Sequence, residues 1–252
     1  MSKEYQSQEI LCSNMFELNK EFDITLVSGI GAEDRNILII DDFYKNPDEV
    51  RQYCIDSPLK TVETHPQLIA KFPGARVWEK DQRVRRKLEP QFAHWRDQKH
   101  LWKSRRQVPE HLWNWNWDEQ QFMCNVTDGP QLALHDCIPH QDSLHPYQNT
   151  HASVIYLNTP EECQGGTSFY SYEGSCCCEM PIDFDTGESL PLHLPLNELQ
   201  EWAKENFKVE VDIEMKYNRC LMYETDVFHS QSWYVEGQYT QGYNRMNQIL
   251  FM

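Results

Sequence analysis

From residue 111 onward the chain is a succession of short apolar runs broken by Gly, Pro, Asn or Asp, and this pattern restricts the fold more than any other feature. Trp113, Trp115 and Trp117 alternate with polar residues at period 2, the repeat of a half-buried strand. Phe122–Val126, Gln131–His135, Ala152–Leu157, Thr167–Tyr172, Val209–Ile213, Cys220–Tyr223 and Arg245–Phe251 all read as strands of similar length. One helix interrupts them: Asn197 and Gln200 form a capping-box pattern ahead of the apolar stripe Leu199, Trp202, Ala203. Many short strands behind a more helical beginning predict an α+β chain built on a jelly-roll (double-stranded β-helix) core with N-terminal supporting helices.

The first 120 residues read as that support. Residues 1–35 are polar and weakly patterned, with a short strand near Ile24–Val27, and Ile37–Ile40 is a clear apolar strand. Asn46 then caps a helix that opens on Pro47 with Asp48 and Glu49 in its first turn, where the helix dipole favours acids. A second helix covers roughly Asp81–Arg96, with Val84, Leu88, Phe92 and Trp95 at helical spacing and Pro90 expected to kink or divide it. No repeat and no low-complexity linker interrupts the chain, so residues 1–252 read as one domain, 1–120 supporting a core at 121–252.

Charge and cysteine usage narrow the setting. The formal net charge is −16, which repels phosphate backbones and disfavours nucleic acid; the basic runs Arg83–Lys87 and Lys103–Arg106 read as solvated surface. No stretch approaches the roughly 18 to 20 apolar residues of a membrane span, and the first residues carry no apolar signal core. Nine cysteines, with Cys176, Cys177 and Cys178 consecutive, suit thiols kept reduced, so a cytoplasmic protein is expected.

The chemistry concentrates at His140-Gln141-Asp142. In extended chain, residues two apart share a face, so His-x-Asp presents an imidazole and a carboxylate together. His229, just past the apolar run ending at Tyr223, is a candidate third ligand. Two histidines and one carboxylate on one face leave coordination positions open, the arrangement of non-haem Fe(II) oxygenases. Arg245 follows His229 by sixteen residues on the last strand, where a guanidinium fork can bind a carboxylate through two parallel hydrogen bonds. Strand alternation puts Asn247 on the same face as Arg245.

Residues 121–252 resemble the catalytic domain of 2-oxoglutarate- and Fe(II)-dependent oxygenases, in the prolyl-hydroxylase-like branch. The resemblance rests on pieces in a fixed order: His140-Gln141-Asp142, Val154-Ile155-Tyr156-Leu157-Asn158, Gly165-Gly166-Thr167-Ser168-Phe169, Asn218–Tyr223 leading to His229, and Arg245. It implies Fe(II) held by His140, Asp142 and His229, and O2 as oxidant. It further implies 2-oxoglutarate as co-substrate, its distal carboxylate on Arg245 and the Tyr156 hydroxyl. The Gly165-Gly166 pair fits a tight turn feeding the next strand, a backbone requirement rather than a chemical one. The family often carries a tyrosine on the strand before His-x-Asp, and Asn125 is the match here. The stretches 173–208 and 233–243 are longer than the family pattern and could border a substrate entrance. Halogenases of this family replace the carboxylate with a small residue, so Asp142 favours hydroxylation of an unactivated C–H bond in an amino acid, a peptide or protein side chain, or a small metabolite.

Several residues have other readings. His135, His145 and His151 flank the motif but lack the His-x-Asp register, and read as surface or as neighbours of the site rather than ligands. Cys163 with Cys176–Cys178 and His193 makes a poor zinc set, because adjacent cysteines do not match the usual ligand spacing. The Trp113, Trp115, Trp117 stripe reads as one packed strand face. The alternative for the whole chain is a non-catalytic jelly-roll binding module with a vestigial metal site; retention of His140, Asp142, His229 and Arg245 together argues against it. The partner is thus a small-molecule or peptide substrate, whose identity the sequence does not specify; oligomeric state is equally unspecified.

Overall fold

The β-branched and aromatic runs separated by turn residues fold, in a computed structural model of the chain, into ten strands and three helices among the described residues. Those residues are 15–56, 75–78, 82–98, 100–102, 122–128, 139–142, 151–178, 196–232 and 244–251. In chain order the elements are β1 (Asp23–Ile30), β2 (Arg35–Asp41), α1 (Pro47–Asp56), β3 (Ala75–Trp78), α2 (Gln82–Arg96), β4 (Phe122–Asp128), β5 (His151–Tyr156) and β6 (Gly166–Tyr172). They continue with α3 (Leu196–Asn206), β7 (Phe207–Glu214), β8 (Cys220–Glu224), β9 (His229–Gln231) and β10 (Asn244–Phe251).

Seven strands form one sheet in the order β1-β2-β8-β5-β10-β4-β3, and three form a second, β7-β6-β9. Every pairing is antiparallel. The fold is therefore α+β and β-rich, and strands from the first hundred residues lie in the same sheet as β5, β8 and β10.

Period-2 alternation sorts the larger sheet's two faces. Leu38, Ile40, Ile155, Cys220, Met222, Met246 and Leu250 point to a core closed by Val50 and Cys54 of α1 and by Leu88, Phe92 and Trp95 of α2. Ile37, Ala152, Val154, Tyr156, Leu221 and Tyr223 point the other way, against Phe169 and Ile213 of the smaller sheet. That sheet's outer face carries Tyr170 and Phe207 beneath Ala203 and Trp202 of α3. The site described below lies on the side of the larger sheet that faces the smaller one.

The expected elements that fall on described residues form, with differences at their edges. The strand near Ile24–Val27 is longer, Asp23–Ile30, because it pairs along β2 from Asp41 to Arg35. Pro90 does not divide its helix: α2 runs unbroken from Gln82 to Arg96, and Pro90 sits on its exposed side. α3 starts at Leu196, so Asn197 falls inside the first turn instead of capping it. β3 and β9 have no counterpart in the expected set. The run Gln131–His135 and the tryptophan stripe lie outside the described residues.

The glycine pair is needed for two separate reasons. Gly165 adopts φ +66°, which L side chains avoid. Gly166 lies so close to β7 that a Cβ would stand 1.9 Å from the Ile213 carbonyl oxygen.

Candidate metal centre and carboxylate site

β9 holds the centre together. Its first residue, His229, pairs with Phe169 on β6 on one side and with His140 on the other. The His140–His229 bridge is reciprocal, each N–H donating to the other's carbonyl oxygen at 2.9 Å. Two residues on, the Asp142 N–H donates to the Thr225 carbonyl (2.9 Å), and the Gln141 side-chain amide donates to the Asp226 carbonyl (2.5 Å). The His-x-Asp segment is thus fastened along the turn that joins β8 to β9, which brings residues 140 and 229 to the same spot.

The three side chains converge. Their ligand atoms all lie within 4.8 Å of one another. His229 Nε2 is 3.4 Å from Asp142 Oδ2, and His140 Nε2 is 3.9 Å from Asp142 Oδ1. The His229 and Asp142 side chains are 7% and 10% exposed and that of His140 is 31%, so the site opens on the His140 side.

The hydrogen bonding of His229 fixes what the site wants. Nδ1 lies 2.9 Å from the Val227 carbonyl. A carbonyl only accepts, so Nδ1 carries the hydrogen, and a neutral ring then turns its Nε2 lone pair toward the Asp142 carboxylate. At 3.4 Å, either a proton on Nε2 or a metal ion between Nε2 and the carboxylate satisfies both groups. Anchoring one ring nitrogen so that the other can ligate is the usual support for a metal-binding histidine. With two imidazoles and one carboxylate, the donor set suits a divalent transition ion such as Fe(II).

The carboxylate-binding candidates sit on the neighbouring strands. β10 places Arg245 opposite Thr127, and Asn247 opposite Asn125 on β4 and Tyr156 on β5. Positions 125, 247 and 156 therefore form one cross-strand row, which position 76 of β3 extends through its pairing with Asn125. Arg245 is buried at 2% exposure, its guanidinium carbon 5.5 Å from the centre of the Tyr156 ring. The Tyr156 hydroxyl is 2.5 Å from Thr167 Oγ1. Asn158 fixes the height of Arg245 by accepting the Met246 N–H at its side-chain oxygen (2.8 Å).

Tyr223 connects the two halves, and sequence reading gave it no role. Its hydroxyl lies 3.4 Å from Asp142 Oδ2, and its ring packs on His229 and Phe169 at centroid distances of 4.6 and 5.1 Å. Burial pushes this hydroxyl well above the usual phenol range, Asp142 and Tyr156 push the same way, and Arg245 opposes them. Alternation with Leu221 along β8 was the available signal. Arg35 was also missed: it pairs with Glu224 (2.6 Å) at the end of β8 and with Asp226 (2.9 Å) in the turn before His229. No local pattern announces a contact spanning 191 positions.

Of the other histidines, His151 is not at the surface: it is 6% exposed at the start of β5, edge-on to Trp102 at 4.5 Å, and lies outside the ligand group. His135, His145 and His193 lie outside the described residues. Cys163 does not join Cys176 and Cys177, which cluster with Glu33 instead. Among the described residues no helix is long and apolar enough to cross a membrane.

No curated protein matches the sequence. A family model does match, over residues 22–240, a span that takes in His140, Asp142 and His229 and stops short of Arg245. That match covers most of the chain, which therefore belongs to DUF6445, a family of unknown function.

Proposed function

We propose that the protein is an Fe(II)- and 2-oxoglutarate-dependent dioxygenase, and that its paired antiparallel sheets are a jelly-roll core. The observation that carries the reading is the convergence of His140, Asp142 and His229 within 4.8 Å, with the His229 ring anchored so that its free nitrogen points at Asp142. The buried Arg245 beside Tyr156 supports the choice of co-substrate, since a guanidinium fork shielded from water suits a carboxylate held through two parallel hydrogen bonds.

In this reading His140, Asp142 and His229 hold the iron, and Arg245 with Tyr156 holds the distal carboxylate of 2-oxoglutarate. When bound, iron and 2-oxoglutarate supply, with O2, the oxidising power to hydroxylate an unactivated C–H bond, releasing succinate and CO2. The chain's own part is positional. Arg245 offers a planar fork that fixes the co-substrate's orientation. Val227 fixes the His229 tautomer through its carbonyl, and the Tyr223 ring excludes water from one side of it. His140, the most exposed ligand, marks the side from which an organic substrate approaches.

The test is succinate release from 2-oxoglutarate by the purified chain with added Fe(II) in air, without any further substrate. Slow, iron-dependent succinate formation that disappears in His229→Ala supports the reading. Its absence under saturating iron and 2-oxoglutarate favours a binding module.

A further inference from the structure

The turn that leads to His229 is held from its other side by a cysteine-rich bend. Arg35, 3% exposed at the start of β2, reaches Glu224 at the end of β8 and Asp226 in that turn, and also donates to Cys177 Sγ at 3.5 Å. The carbonyl of Cys176 accepts the N–H of Phe228 (2.8 Å), the residue before His229. Cys176 is seated on Gly31, where an added Cβ would stand 2.6 Å from Cys176 Cβ. Its Sγ lies 3.2 Å from the Ile30 carbonyl oxygen and 3.3 Å from Glu33 Oε2, alternative acceptors for its single hydrogen. Both sulfurs and a Glu33 oxygen lie within 4.8 Å of one another.

This cluster is badly suited to a metal ion. Glu33 already accepts from the Ser175 hydroxyl (2.5 Å), the Cys176 N–H (2.9 Å) and the Cys176 thiol. A guanidinium, fixed by two carboxylates, occupies the side of Cys177 that a cation would need. The same features suit thiol chemistry. The neighbouring Cys176 thiol and Arg35 together outweigh burial and hold the Cys177 thiol at about 7, while the contact with Cys177 and burial push Cys176 up. A half-buried thiolate beside a protonated thiol is the usual pairing of an attacking and a resolving cysteine.

We propose that Cys177 is a peroxide-oxidation site resolved by Cys176, and that forming the bridge loosens the turn that positions His229. The Cys177 thiolate attacks one oxygen of hydrogen peroxide; an S–O bond forms, the O–O bond breaks, and the other oxygen leaves as hydroxide. The Cys176 thiol then attacks the Cys177 sulfur; the S–S bond forms, the S–O bond breaks, and the departing hydroxyl takes the thiol proton as water. Both sulfurs are oxidised, and hydrogen peroxide is reduced to one water and one hydroxide, which takes up the proton released when the Cys177 thiol ionised. The bridge closes a small ring around the Cys176–Cys177 peptide, so Cys176 must leave Glu33 and Arg35 loses an anionic partner. The thiol chemistry stands independently of the proposed function; its effect on His229 rests on the metal reading.

The experiment treats the full-length, reduced chain without added iron with graded hydrogen peroxide at pH 7 and maps each cysteine by mass spectrometry, with Cys163 as internal reference. Burial raises the Cys163 thiol, so Cys177 is expected to oxidise about tenfold faster or more. The wild type should yield a Cys176–Cys177 bridge, and Cys176→Ser a Cys177 sulfenic acid trapped by a 1,3-dione. Equal rates at Cys177 and Cys163, or a bridge to Cys178 instead, overturn the proposal. Mn(II) titration of the same samples reads the coupling: binding should weaken about tenfold on oxidation, recover with a thiol reductant, and stay unchanged in peroxide-treated Cys177→Ser. A bridge that leaves Mn(II) affinity intact overturns the coupling. Failure of the reduced chain to bind Mn(II) counts against the metal reading, with the thiol chemistry decided separately by the peptide map.

Discussion

Asp142 is the residue whose replacement separates the possible chemistries most sharply. Asp142→Gly removes the only carboxylate of the cluster and should abolish succinate formation and weaken iron retention, with chloride able to enter the vacated position. Asp142→Glu should also fail, because an added methylene displaces the oxygen by far more than the roughly 0.2 Å a metal bond tolerates. Iron content and succinate yield, measured side by side for the three proteins, check this; full iron and full activity in Asp142→Gly would remove Asp142 from the site. Tyr223→Phe keeps the ring on His229 but deletes the hydroxyl beside Asp142, and should lower metal affinity by about tenfold. The candidate ligands were legible because His-x-Asp is a local pattern and His229 follows an apolar strand. Tyr223 and Arg35 were not, because their partners are brought to them by sheet pairing across 81 and 191 positions.

At the scale of elements, strand existence could be read and strand partnership could not. Alternating apolar residues mark β5, β8 and β10, yet only the register reveals that Asn125, Asn247 and Tyr156 share a row. β3 and β9 escaped because four and three residues are too few to show a period. The close approach of β6 and β7 gives one prediction. Gly166→Ala drives a methyl into the Ile213 carbonyl and should cost roughly 3 kcal/mol in a denaturant titration. Pro90 gives another. An exposed proline inside α2 lacks the N–H that would bond four residues back, so Pro90→Ala should stabilise the chain by about 1–3 kcal/mol. An unchanged midpoint would mean the helix is already broken there in solution.

For the whole molecule, groups whose protonation shifts on folding set the acid limit of stability. Burial, with Arg96 and Arg35 adding to it, lowers His151 from 6.5 to about 3. The unfolded chain then binds a proton that the folded chain refuses, so stability falls as pH drops below 6.5 and continues to fall toward 3. Glu33 acts lower: its hydrogen bonds outweigh burial and hold it at about 2, so its contribution is lost as pH falls from 4.5 toward 2. His151→Phe should therefore flatten the pH dependence of the unfolding midpoint between 6.5 and 4.5 while leaving the steeper loss below. If the triad and Arg245 hold 2-oxoglutarate jointly, anaerobic calorimetric titration of 2-oxoglutarate, with and without one equivalent of Fe(II), reads both contributions. Binding should depend on iron, vanish in His229→Ala and weaken roughly 10- to 150-fold in Arg245→Ala, the equivalent of a charge-assisted pair of about 1.5–3 kcal/mol. Binding of equal strength without iron, or undiminished in His229→Ala, would contradict it.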